Sequence, residues 1–137
     1  MRFPFVRPRH ALLLAVAALA VAGCSQLGFI KRRLPPPEPQ DGKVTFRFEA
    51  PSAQTVQLAG NWPENNWLGG QAQTGSFLVG EMTDANGDGI WERTEELPPG
   101  RYEYKFVIDR TSWKEDPNNP QRVDDGFGGF NSLLIVK

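Results

Sequence analysis

The chain has 137 residues, 39% hydrophobic and 23% charged, which supports one packed domain rather than wholesale disorder and is too short for a multidomain enzyme. Gly 14 and Pro 12 favour turns over long helices, and the single cysteine excludes an intramolecular disulfide framework and Cys-rich zinc sites. The only histidine, His10, lies in a segment that reads as removable, so histidine-dependent nucleophilic, acid–base or metal chemistry leaves with it.

Arg2, Arg7 and Arg9 open the chain with positive charge and no offsetting acid. Ala11 to Ala22 is then an unbroken apolar run of 12 residues. A hydrocarbon core needs about 20 residues, so the run is too short to span one. It fits the apolar region of a signal peptide. The run closes on Val21-Ala22-Gly23-Cys24, which resembles the lipobox of bacterial lipoproteins. That resemblance implies a signal peptide over 1–23, acylation of Cys24, and a membrane-anchored lipoprotein with its domain outside the cytoplasm. Palmitate-type chains would supply the anchor, since each buried CH₂ contributes about 0.8 kcal/mol. Ser25, rather than aspartate, resembles the sorting pattern for the outer membrane of a two-membrane bacterium. The alternative is an ordinary secretory signal with an incidental cysteine.

Without residues 1–23 the chain carries 12 basic and 16 acidic residues, a net charge of −4. This balance gives no electrostatic footprint for nucleic acid. Residues 24–42 read as a tether. Lys31-Arg32-Arg33 is its one basic cluster, suited to anionic headgroups or simply to solvent, and Leu34 to Pro39 favours polyproline II.

From Lys43 to Lys137 the pattern becomes that of strands. Val44, Phe46 and Phe48 alternate with Thr45 and Arg47. Thr55–Leu58, Phe77–Met82 and Ile90–Glu96 predict three further strands. Tyr102, Tyr104, Phe106 and Ile108 fill one face of a fifth, leaving Arg101, Glu103, Lys105 and Val107 on the other. Leu133–Val136 closes the chain. Turn signals punctuate these runs: Gly69-Gly70, Asn86 to Gly89, Pro98 to Gly100, Pro117 to Pro120 and Gly126 to Gly129. Such spacing, with no helical stretch, predicts an all-β sandwich over 43–137. Its 95 residues are enough to fold without disulfides.

Four tryptophans need a role. Trp91, next to Ile90, reads as core. Trp67 and Trp113 sit among polar and turn residues, where an exposed indole is best explained by a ligand. A sugar ring stacks its C–H groups on an indole while its hydroxyls reach amides and charged heads. Lys105, opposite Tyr104 and Phe106 on its strand, points away from the core and is free to donate.

Leu58-Ala59-Gly60, Asn65-Asn66-Trp67, Leu97 to Phe106, Trp113, Asp116-Pro117-Asn118-Asn119-Pro120 and Asn131 form an ordered series. The series resembles carbohydrate-binding module family 48, which includes the glycogen-binding domain of the AMP-activated protein kinase β subunit, and the resemblance spans essentially all of 43–137. It implies an immunoglobulin-like, early-set β-sandwich of about seven short strands, which binds α-1,4-glucans such as glycogen and has no catalytic residue. The implied carbohydrate-binding residues are Trp67, Lys105, Trp113, Phe127, Gly129 and Asn131. Asn131 reads equally well as a turn residue before an edge strand. Two loops depart from the family pattern. Gly60 to Trp67 is longer than Gly-x-Phe-Asn-x-Trp, with Trp62 in place to be the buried aromatic, and Asp109 to Trp113 is longer than Asp-Gly-x-Trp. Each extension is expected to shift a tryptophan by about one residue's rise, roughly 3.3 Å.

Asp84, Asn86, Asp88 and Gly89, with Glu95, match the calcium-loop expression. The oxygens of Asp84, Asn86 and Asp88 suit a structural calcium ion, but strands flank them, and an Asp/Asn/Gly-rich hairpin turn is the competing reading. No other cofactor is expected. The adjacent acids Glu115-Asp116 and Asp124-Asp125 are poorly placed to act as a hydrolytic pair across one bond. The leading function is therefore a non-catalytic α-glucan-binding lipoprotein. Its alternative is an early-set module that binds an envelope protein, its sugar site degenerate.

Overall fold

The computed structural model describes residues 33–70 and 79–137; the expected signal peptide, the Cys24 anchor and part of the basic cluster (Lys31 and Arg32) lie outside them. Among the described residues, eight antiparallel strands form: β1 (Pro39–Gln40), β2 (Lys43–Glu49), β3 (Val56–Gly60), β4 (Ile90–Glu96), β5 (Gly100–Ile108), β6 (Ser112–Lys114), β7 (Arg122–Asp124) and β8 (Phe130–Val136). The first sheet runs β1-β2-β4 and the second β3-β5-β8-β7, with β6 paired to β5. Because β3 and β8 both pair at Tyr104, and β3 and β6 both pair at Phe106, β6 and β8 share one edge of β5. The result is the expected immunoglobulin-like β-sandwich, and no α-helix occurs among the described residues.

Alternation builds the core. Val44 and Phe46 of β2, Val56 and Leu58 of β3, Tyr104 and Phe106 of β5, and Leu134 and Val136 of β8 are all buried together. The Phe46 ring meets the edge of Tyr104 at 4.9 Å and stacks on Trp62 at 6.1 Å. Trp62 thus fills the buried aromatic position expected of it, and Gly60 makes room: a Cβ there would fall 1.8 Å from the indole. Trp91 packs half-buried against this core, its Nε1 donating to the Ala50 carbonyl at 3.0 Å. The outer face of the first sheet is a polar ladder of cross-strand pairs, Lys43–Glu96, Thr45–Thr94 and Arg47–Glu92. On the other face of the edge strand β4, Arg93 and Glu95 pair with each other, and such inward-facing charge discourages pairing with another chain.

Four stretches differ from expectation. The end of the tether is a strand: Pro39 pairs with Val44 and Gln40 with Lys43 across a two-residue turn. Asp41 and Gly42 there have φ of 51° and 76°, as a primed hairpin turn requires. Pro37 is buried, and Pro35, Pro36 and Glu38 border the outer face of the first sheet beside Lys43, Thr45 and Arg47. The expected strand at Phe77–Met82 is described only from Val79 on, and that part is not a continuous strand. Glu81 bridges Gln57 of the second sheet, whereas Thr83 bridges Glu92 of the first, so the segment crosses between sheets instead of extending either. Finally, β6 and β7 occupy stretches in which the sequence patterning predicts no strand.

Candidate functional site

The outer face of the second sheet carries the side chains that β5 turns away from the core. Glu103, Lys105 and Val107 lie there, Val107 directly opposite Trp113 of β6. Glu103 pairs with Leu133 of the neighbouring β8, and Asn131 of β8 with Val123 of β7. A cleft of about 370 Å³ opens on this face, lined by Trp67 and Trp113, by Glu103 and Lys105, and by Asp125, Phe127 and Asn131. That volume is within the usual range for ligand clefts, about 300–1,000 Å³.

Trp67 arrives from the tight turn Asn66–Gly70. Four consecutive residues, Asn66 to Gly69, have positive φ (42°, 54°, 70° and 67°). Left-handed backbone costs roughly 1–2 kcal/mol per residue with a Cβ. Two devices hold it. Leu68 is buried against Ala59 and Val107, and Trp67 packs at the edge of that small cluster. Buried Asn65 accepts the N–H groups of Gly60 (2.8 Å) and Leu68 (3.1 Å) on Oδ1 and donates to the Leu58 carbonyl at 2.7 Å. Trp113 is 46% exposed and Phe127, at a loop tip, 95%.

The polar groups are tied together. Lys105 Nζ donates to Asp125 Oδ2 at 2.7 Å, so it is ion-paired rather than free as its strand position suggested. Asp125 Oδ1 accepts the N–H groups of Phe127 (2.8 Å) and Gly129 (3.0 Å). The Lys105 bond, then these two, hold the Asp125 carboxyl down at about 2. Gly129 therefore does not line the cleft, but secures the loop that does. Asn131 is 8% exposed within β8, which lies between β5 and β7, and its Nδ2 donates to Glu103 Oε2 at 3.0 Å. It is neither a turn residue nor on an edge strand.

Five of the six residues expected to bind sugar thus face one cleft, and both tryptophans reach it despite their lengthened loops. Glu103 and Asp125 were missed. Glu103 shares the period-two face of Lys105 and was legible there. Asp125 has no sequence signal, because its place depends on a loop folding back across β5.

Beneath the sheet, Tyr104 donates to Asp116 Oδ2 at 2.7 Å, the Asp116 N–H donates to Ser132 Oγ at 2.7 Å, and Asn119 Nδ2 donates to Tyr104 and to the Leu133 carbonyl. Burial raises the Tyr104 hydroxyl far above its ordinary range, and raises Asp116 despite the hydrogen bonds that favour its ionised form. This network pins the 115–120 loop to the core. Glu115 points elsewhere, to Arg122 at 3.7 Å, and Asp124 accepts the Gly126 N–H, so neither pair of adjacent acids converges on one point.

In the 84–89 turn, Asp84 accepts the N–H groups of Asp88 (3.1 Å) and Gly89 (3.0 Å), Asn86 accepts that of Asp88, and Asp88 that of Ile90 (2.8 Å). The oxygens expected for calcium are turned onto the hairpin's own backbone, and Glu95 is with Arg93. Among the described residues no group of three His, Cys, Asp or Glu side chains is spaced to hold a metal ion.

No known family profile matches the sequence, and no curated protein does. Among solved structures, the crystal structure of a "Putative alpha Amylase" from Salmonella typhimurium is similar at a TM-score of 0.52, with 25% identity over 73% of this chain. The match takes in 14% of that protein, so this chain resembles one portion of a much longer one.

Proposed function

We propose that this protein is a non-catalytic α-glucan-binding module, held at the cell envelope of a two-membrane bacterium by a lipid on Cys24. The observation that carries the reading is the convergence of Trp67 and Trp113 on one cleft with Lys105, Asp125, Glu103 and Asn131 between them. Two indole faces offer stacking surfaces for pyranose rings, and the polar groups offer donors and acceptors to hydroxyls. The choice of α-glucan rests on the sequence resemblance to carbohydrate-binding module family 48 and on the partial likeness to an alpha-amylase-type protein. A purely binding role fits carboxylates that are committed to Lys105 and Asn131 rather than left to move protons. Electrophoresis through gels containing glycogen or amylopectin tests it. Retardation of the wild type, reduced in Trp67→Ala and Trp113→Ala, is expected; unretarded migration of the wild type overturns it.

One observation favours a second reading, an early-set module for an envelope protein. Phe127 is almost wholly exposed, as an aromatic anchor for a protein partner would be. A stoichiometric partner in pull-down whose capture depends on Phe127, with no signal on a glycan array, would select it.

A further inference from the structure

The charges of the cleft do not balance. Among the described residues that line it, Lys105 is the one cation, and Asp125 neutralises it at 2.7 Å. Asp125 is itself fixed by the Phe127 and Gly129 N–H groups, so its charge cannot swing away. Glu103 remains. Asn131 gives its carboxylate a hydrogen bond but no charge, and the cation beside it, Arg101, is 3.7 Å off, more than half exposed, and outside the cleft lining. The cleft therefore holds one more negative charge than positive.

Resting on the carbohydrate-binding reading above, we infer that the cleft selects uncharged sugar chains and rejects those bearing phosphate, sulfate or uronate groups, with Glu103 the rejecting residue. A neutral hydroxyl can donate to Glu103 or Asp125 and accept from the remaining Lys105 N–H bonds. An anionic substituent can do only the last. To reach Lys105 it must displace a carboxylate that two backbone N–H groups also hold, or settle unpaired beside Glu103. Like charges brought together in this way cost affinity and discriminate between otherwise similar ligands.

Calorimetric titration of the protein with maltoheptaose and with maltoheptaose carrying a 6-phosphate tests the inference. The phosphorylated chain should bind about tenfold more weakly at low ionic strength, the effect of one partly screened like charge. The ratio should shrink in Glu103→Gln and at high salt. Arg101→Gln, which removes the rim cation, should widen it, and serves if Glu103→Gln fails to fold. Equal or tighter binding of the phosphorylated chain overturns the inference while leaving α-glucan binding in place. A gap unmoved by Glu103→Gln and by salt overturns it too, assigning the difference to size. Binding of neither ligand removes the α-glucan reading, and the inference with it.

Discussion

Trp62 and Trp113 place the same side chain in contrasting settings: one is 3% exposed between Gly60 and Phe46, the other 46% exposed on β6. Trp62→Ala should cost about 3–5 kcal/mol, the usual range for emptying a core of an indole. Trp113→Ala should cost about 0.5 kcal/mol or less, as for most surface changes. Urea unfolding of the two variants separates the roles, whichever ligand the cleft takes. Acid titration offers a second contrast. The Asp125 carboxyl sits at about 2 against an ordinary 3.8, so its contribution is present above about pH 4 and is lost as pH falls towards 2. Asp116 has the opposite sign. Its value is raised by burial, so its contribution is full below its ordinary range and declines as pH rises through the raised value. Asp125→Asn should therefore flatten the fall in melting temperature between pH 4 and pH 2. An unchanged acid limb would mean that another group controls it.

Elements were legible in proportion to their length and alternation. The Val44-Phe46 and Tyr102-Tyr104-Phe106 patterns mark β2 and β5 because seven or nine residues alternate between core and solvent. β6 and β7 are three residues each and rich in charge. They are strands only because β5 and β8 offer edges to pair with, and no local pattern reports that. β1 left a signal in Asp41-Gly42, a strong hairpin pair, but the proline run before it reads as tether. The cleft was legible where strand period fixed direction, at Lys105, and through the Trp67 and Trp113 contexts; its loop-borne half, Asp125 above all, depended on tertiary folding. The β5–β6 turn yields a prediction at this scale. Asp109 and Arg110 have φ of 49° and 64°, and Thr111 N–H closes the turn on the Ile108 carbonyl at 3.1 Å. Asp109 earns its place by accepting the Gln54 and Thr55 N–H groups. Arg110 stands exposed in a conformation that suits glycine. Arg110→Gly should stabilise the fold by about 0.5 kcal/mol, relief of left-handed strain slightly exceeding the added freedom of the unfolded chain. A lowered thermal midpoint would show that the arginine makes compensating contacts.

For the whole molecule, the function proposed above assigns the residues to three tasks: export, attachment and folding. The attachment step predicts that wild type incorporates labelled palmitate and fractionates with membranes, whereas Cys24→Ala does neither. Absence of label from the wild type would leave an ordinary exported domain. The proposed attachment also gives β1 a mechanical meaning. Under that proposal, tension drawn through Cys24 would first lift residues 35–38 from the first sheet, where Pro37 is buried, and then reach Pro39–Gln40, where only Pro39 and Gln40 are paired to β2. Peeling them releases the segment back to the Asp41-Gly42 turn, at roughly 3.3–3.6 Å of slack per residue, while the β2–β4 ladder and the core stay closed. Under load between an anchored N-terminus and a captured polymer, β1 would act as a short sacrificial spring. Single-molecule pulling should record a brief, reversible extension before the main rupture, and a single rupture alone would show that β1 holds as long as the sandwich does.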